Sequence, residues 1–285
     1  MVKHKLHKNG WTVLLEDFDF RSATQEDINQ IAKLLATNTL VVARRQDLTT
    51  QDEVRIAKMF KDPQIFNTED ENSPDTMFQG AEVKDSDNMA LRVTAEKDEH
   101  GRTGIAGHED EMQWHANDQT TPNRKPLVCL YSVKGSRGSR TSWNNNILSY
   151  NSLSKEKREP LEDLKLIPYQ NVSLDENHEY KDGTVEEYYP NLVMENIAGK
   201  RGFYFPFYQI SGFKDMGEDE SKEIIDWLSE YTIRDEFCYH HDWEDGDIII
   251  TEQWLGIHKR WPFKNIEERL LHRMAFDFPD QDYKS

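Results

Sequence analysis

Residues 113–118 read "QWHAND", and the spacing inside this stretch is where chemistry could begin. His115 and Asn117 are two apart, and in a strand residues i and i+2 share a face. Both can reach one ion, while Asp118 points the other way. An iron(II) centre of the facial-triad type takes two imidazoles and usually a carboxylate on one side of the metal, and keeps the opposite side open. Here an asparagine stands at the carboxylate's place. The second imidazole must come from a distant strand, and His258 follows the strand-turn-strand "HHDWEDGDIIITEQWLGIH". Arg269 lies eleven residues on and Arg273 four further. A guanidinium there could grip the far end of a dicarboxylate through two hydrogen bonds.

Those residues need strands beneath them. "PLVCLYSVKG", after His115, has the β-branched and aromatic content of a strand. The tail alternates strands and turns: "EFCYHHDW", the turn "EDGD", "IIITEQ" and "ERLLHRMAFDF". Ahead of them, "DFDFRSATQEDINQIAKLLATNT" predicts a helix entered near Ser22 to Thr24, with Ile28, Ile31, Leu34 and Leu35 at helical spacing. "LVVARRQ" follows as a short buried strand, then "TTQDEVRIAKMF" as a second helix with Thr50 and Glu53 at capping-box spacing. Residues 62–112 are polar and weakly periodic, which predicts a functional loop or lid holding short strands. "NNNILSYNSLS" and "SKEKREPLEDLKLI" read as helical, and residues 168–200 as a second excursion. "DESKEIIDWLSEYT" reads as an amphipathic helix with Ile224, Ile225, Trp227 and Leu228 inward. Many strands, few helices and no βαβ rhythm predict a mainly β, α+β fold, a β-sandwich or jelly roll with helical decoration.

A chain of 285 residues can form one large domain or two small ones. Its 35 basic and 53 acidic side chains leave a net charge of −18, which argues against nucleic acid and anionic membrane as partners. The start "MVKHKLHKNGW" lacks the apolar stretch of a signal peptide, and no apolar run is long enough to span a bilayer. A cytoplasmic location is expected. Cys129 and Cys238 form no disulfide framework and are expected as buried free thiols. His240 and His241, adjacent in a strand, are expected in a surface role, and His108, in "HEDEM", in a solvated loop. The run "FYFPFY" at 203–208 is expected in the core, with Phe207 or Tyr208 lining the pocket.

Seven blocks in order carry a family resemblance. They are the opening "GWTVLLEDFDF" to "TTQDEVRIAKMF", then "WHAN", "GSRTSWNNNILSYNSLS", "GKRGFYFPFYQISGF", "YHHDWEDGD", "IHKR" and "ERLLHRMAFDF". Over nearly its whole length the chain resembles the taurine dioxygenase (TauD/TfdA) family of iron(II)/2-oxoglutarate-dependent oxygenases. Chance matches rarely keep order and spacing together.

The resemblance implies a double-stranded β-helix (jelly roll, cupin-like) with N-terminal helices and a long insert, as a single domain over residues 1–285. It implies Fe(II) and 2-oxoglutarate as cofactors, with His115, Asn117 and His258 at the metal. Thr141 and Arg269 would hold the carboxylates of 2-oxoglutarate, Arg273 and Phe207 would face the substrate, and Gly246 and Asp247 would form a structural turn. The implied reaction is oxidation of a small polar substrate by hydroxylation, with release of succinate and carbon dioxide. The partner is a small molecule, and a homo-oligomer stays open. Asn117 departs from the family's aspartate, Arg140 precedes Thr141 where an aspartate is usual, and Glu252–Gln253 stand where the family has Asp-Asn. The first reading of Asn117 is coordination by its amide oxygen or by water. A carboxylate from Glu109, Asp110, Glu111 or Asp118 is the second. Halide is the third, since halogenases make room there with Ala or Gly and asparagine does not. A non-catalytic or weakly metallated ligand-binding relative is the alternative to an enzyme, with a halogenase behind it.

Overall fold

Thr24 and Thr49 start the two front helices in the same way. Each hydroxyl accepts from the backbone N–H three residues on, and the aspartate there, Asp27 or Asp52, accepts from the threonine's own N–H. Orphan donors at the helix start are thereby satisfied. The second cap is Thr49 with Asp52, not the expected Thr50 with Glu53, because Glu53 lies on the buried face of its helix.

The computed structural model describes residues 1–70, 73–117, 124–168 and 188–284, with only the backbone of Pro74. β1 (His4–Leu6) and β2 (Val13–Leu15) are followed by α1 (Gln25–Asn38), β3 (Leu40–Ala43) and α2 (Thr50–Met59). After the polar stretch holding β4 (Leu91–Val93) come β5 (Met112–His115), β6 (Leu127–Lys134) and β7 (Arg140–Asn144). Next are α3 (Asn146–Ser152), α4 (Lys155–Arg158), β8 (Leu166–Pro168), β9 (Val193–Glu195), β10 (Arg201–Phe203), β11 (Ile210–Phe213) and α5 (Glu218–Thr232). The chain closes with β12 (Cys238–Asp242), β13 (Ile248–Glu252), β14 (His258–Arg260) and β15 (Leu270–Phe276). The helix expected over "SKEKREPLEDLKLI" is helical only as far as Leu161, and its end enters β8, which pairs with β11 and buries Leu166. On α5, Leu228 is buried as expected, whereas Trp227 is 36% exposed and stacks on Tyr231.

Two sheets make the jelly roll. The larger has the order β1-β2-β3-β13-β6-β15-β4, and the smaller β12-β7-β14-β5. All pairs in both are antiparallel except β2 with β3. Strand alternation sorts the larger sheet's side chains. Leu40, Val42, Ile249 and Leu271 pack towards the smaller sheet with Trp143, Tyr239 and Trp243. Val41, Ala43, Ile248, Ile250 and Met274 pack on Ile28, Ile31 and Leu35 of α1 and Ile56 of α2. A central strand buried on both faces reads as a continuous apolar run, as "LVVA" and "III" do. Behind the smaller sheet, Trp114, Ala116 and Ile257 join an aromatic cluster with Phe203, Phe205 and Phe213. Cys129 and Cys238 are buried free thiols. Among the described residues no helix is long and apolar enough to cross a membrane.

The turn before β13 needs its glycine. Gly246 has φ +85°, and a Cβ there would sit 2.6 Å from the Gln46 carbonyl oxygen. The turn buries Asp247, whose Oδ2 lies 2.6 Å from Arg44 Nη1 and 2.9 Å from His241 Nε2. His241 is therefore fully buried, with Tyr239 OH at its other nitrogen, and the surface role expected for it is incorrect. His240, on the outward face, does meet solvent and contacts Ser142 Oγ at 2.7 Å.

Candidate metal centre

His115 ends β5, His258 begins β14, and the two are direct partners in the antiparallel ladder. Their ring centroids are 4.2 Å apart. Alternation turns both rings inward, while Trp114 and Ile257 point to the aromatic cluster behind. His115 Nδ1 lies 2.6 Å from the Gln113 carbonyl oxygen. That nitrogen donates, which leaves Nε2 as the acceptor, the tautomer a metal requires. Burial holds the His115 imidazole below its ordinary pKa despite this bond, and the charges of Arg260 and Arg273 add to the effect. His258 is held well below, by burial first and then by His115 and Arg273. Both rings are neutral at pH 7, the state in which an imidazole can accept a cation without first losing a proton.

A cavity of about 70 Å3 between the sheets is bordered by both histidines, Asn117, Thr141, Arg269 and Arg273. Residues far apart in sequence thus converge on one space. Phe207 is the exception. Its short 3-10 turn directs the ring into the rear cluster, beside Phe205 and Tyr208, and Tyr208 is exposed.

Each inward group has a distinct polar state. Thr141 Oγ1 accepts from Trp243 Nε1 at 2.9 Å, so its own hydroxyl proton is left to donate elsewhere. Arg269 is 2% exposed, and its Nε and Nη1 have no acceptor. Burial, then the charge of Arg260, pulls its pKa down to about 9, so it stays charged at neutral pH. A buried guanidinium with open donors is costly until an anion meets it. Arg273 is also buried, its guanidinium 5.9 Å from the Phe66 ring centroid.

Position 117 is held through its backbone. Asn117 N donates to Gln253 Oε1 and Ala116 N to Gln209 Oε1, both at 2.9 Å. Gln253 Nε2 in turn donates to the Lys125 carbonyl at 2.6 Å. The carboxylates considered as substitutes lie elsewhere. Glu111 pairs with Lys259 at 2.8 Å, and Glu109 and Asp110 are exposed. Asp118 lies outside the described residues. Among the described residues, no group of three or more His, Cys, Asp or Glu could hold a metal.

The donor set nevertheless fits a divalent metal with a dicarboxylate: two neutral imidazoles, an adjacent amide, a free hydroxyl proton and a buried guanidinium without acceptors. Sequence reasoning missed Gln253, Gln209, Trp243 and Arg260 as parts of the site. Only Arg260 carried a local signal, because it stands two residues after His258 and so shares its face. His108 is exposed as expected, yet its Nδ1 lies 3.2 Å from Arg260 Nη2.

Residues 6–275 match the family described as taurine catabolism dioxygenase TauD, TfdA family. The chain belongs to this family. As a TauD/TfdA member it is an iron(II)- and 2-oxoglutarate-dependent dioxygenase that acts on a small molecule. Among its relatives, pentalenolactone F synthase of Streptomyces arenae is 23% identical over 201 residues, covering 64% of this chain and 67% of that one. The alpha-ketoglutarate-dependent 2,4-dichlorophenoxyacetate dioxygenase of Cupriavidus pinatubonensis is 23% identical over 271 residues, 91% of this chain and 92% of that one. The crystal structure of a taurine dioxygenase from Burkholderia xenovorans superposes with a TM-score of 0.74 at 19% identity, over 98% of this chain and 89% of that one. The shared jelly roll is what that superposition shows.

Proposed function

We propose that this dioxygenase hydroxylates a small polar substrate and releases succinate and carbon dioxide. His115 and His258 bind the iron, with the Asn117 amide or a water beside them. Thr141 and Arg269 take the far carboxylate of 2-oxoglutarate, and Arg273 faces an anionic group on the substrate. The observation that supports this reading best is Arg269, a buried cation with open donors on the wall it shares with two neutral imidazoles. When bound, iron and 2-oxoglutarate together supply the oxidising power drawn from oxygen. The chain's own part is to orient them and exclude water. Val128, Leu130 and Leu271 furnish apolar wall for that purpose.

Asn117 favours a second reading, a ligand-binding relative that holds 2-oxoglutarate without turning it over. Anaerobic addition of iron(II) and 2-oxoglutarate should produce the weak visible charge-transfer band of a chelated keto acid. Admitting oxygen should then yield succinate. No band at saturating iron overturns the proposal, and a band with no succinate in the presence of candidate substrates assigns the chain to the second reading.

A further inference from the structure

We infer that Arg260 is a second guanidinium for the far carboxylate of 2-oxoglutarate, and that through it co-substrate binding fastens the loop 104–110 over the cavity. The inference rests on the proposed placement of 2-oxoglutarate between Thr141 and Arg269.

Arg260 is 4% exposed, borders the cavity, and is the ladder partner of Thr141. Its terminal nitrogens hold the loop. Nη1 donates to the Ala106 carbonyl at 2.6 Å, and Nη2 donates to the carbonyls of His108 and Asp110 at 2.5 and 2.6 Å. Its Nε is buried and has no acceptor. Arg269 presents open donors to the same space, and the charge of Arg260 acts on it directly. Among the described residues no carboxylate borders the cavity. Two like charges in a shared low-dielectric space repel, and a carboxylate with two oxygens can accept from both.

The loop is built to lie against the wall. Ile105 N donates to the Arg92 carbonyl at 2.8 Å, and a Cβ on residue 104 would come within 2.3 Å of that same oxygen, so only glycine fits. Ile105 and Ala106 then form part of the cavity lining. An anion that fixes the Arg260 guanidinium also fixes the three carbonyls it carries. Lysine would keep the charge and lose the fork that reaches several carbonyls at once.

The test uses the full chain with Mn(II) and N-oxalylglycine, a non-reacting analogue of 2-oxoglutarate, and reads calorimetric Kd and hydrogen exchange of amides 104–110. In the native protein the analogue should slow exchange across the loop. Arg260→Met should raise the Kd about tenfold or more and abolish that slowing. Arg260→Lys should keep part of the affinity and still lose the slowing. If saturating analogue leaves loop exchange unchanged in the native protein, the inference fails, whatever the variants do. It also fails if either variant binds and protects the loop as the native protein does. If the native protein does not bind the analogue, or binds it independently of Arg269, the proposed function itself fails. Binding that needs Arg269 and not Arg260 overturns this inference alone.

Discussion

The main-chain N–H of Asn117 donates to Gln253 Oε1 at 2.9 Å, so the residue beside the two histidines is anchored by its backbone. Its side chain can therefore be changed with the anchor left in place. Asn117→Asp should tighten Mn(II) or Fe(II) binding by about tenfold or more, because a full charge replaces a dipole close to a divalent cation. Asn117→Ala should weaken it. Equal affinity in native, Asp and Ala forms would remove the amide from the metal's ligands. A loss of affinity in Asp118→Asn alone would transfer the role to that carboxylate.

Arg269→Ala should raise the Kd for 2-oxoglutarate far more than the Kd for the metal. Removing one partner of a buried charged pair typically costs about 2–5 kcal/mol. Anaerobic titration of both ligands separates the two effects. A larger loss of co-substrate affinity in Arg273→Ala than in Arg269→Ala would reverse the roles assigned to these arginines.

Glu252 gives a pH dependence with a definite sign. Burial pushes its carboxyl up from 4.5 to about 7, against the N–H groups of Leu255 and Trp254 and the charge of Arg124. Between those values the folded protein holds a proton that the unfolded chain has released. The contribution to stability is full below 4.5 and is lost as pH rises through about 7. Above that the buried charge costs on the order of 3 kcal/mol. Glu252→Gln should thus gain in Tm relative to the native protein as pH is raised from about 5 to about 8. A Tm difference that stays constant over that range would show that Glu252 does not titrate there.

Glu53 on α2 and His272 on β15 form a buried pair, Oε1 to Nδ1 at 2.8 Å. Each single substitution, Glu53→Leu or His272→Leu, leaves a buried polar partner stranded and should cost about 3–5 kcal/mol in denaturant unfolding. The double substitution should recover much of that loss. Simple additivity of the two losses would mean that the pair does not act as a unit.

Much of the architecture was legible because burial on two faces writes itself into runs such as Leu40–Ala43 and Ile248–Ile250. The pairing of His115 with His258 was legible because strand spacing and block order agreed. The cap of α2 was misread for a physical reason. Thr49–Asp52 and Thr50–Glu53 fit the same pattern, and only the inward face shared by Glu53, Ile56 and Ala57 separates them. His241 looked like one of a surface pair because its partner Asp247 arrives only when the glycine turn folds back. Phe207 had the right aromatic character, but the direction of a ring in a short 3-10 turn is set by its neighbours. Gln253 stood out only as a departure from the family's Asp-Asn, and its anchoring role was not legible, since the backbone it secures is 136 residues away in sequence.

β15 has one further property. Leu271 and Arg273 face between the sheets, while His272 and Met274 face the helices. A strand with apolar residues alone on both sides could slide by one position at little cost. Here a one-residue slip would drive Arg273 under α2 and strip Glu53 of its histidine, and either error strands a charge in the interior. The cavity-lining arginine on one side and the buried Glu53–His272 pair on the other therefore act together as an index mark. Correct assembly of this strand against β6 is checked by side chains that also border the cavity and seat α2.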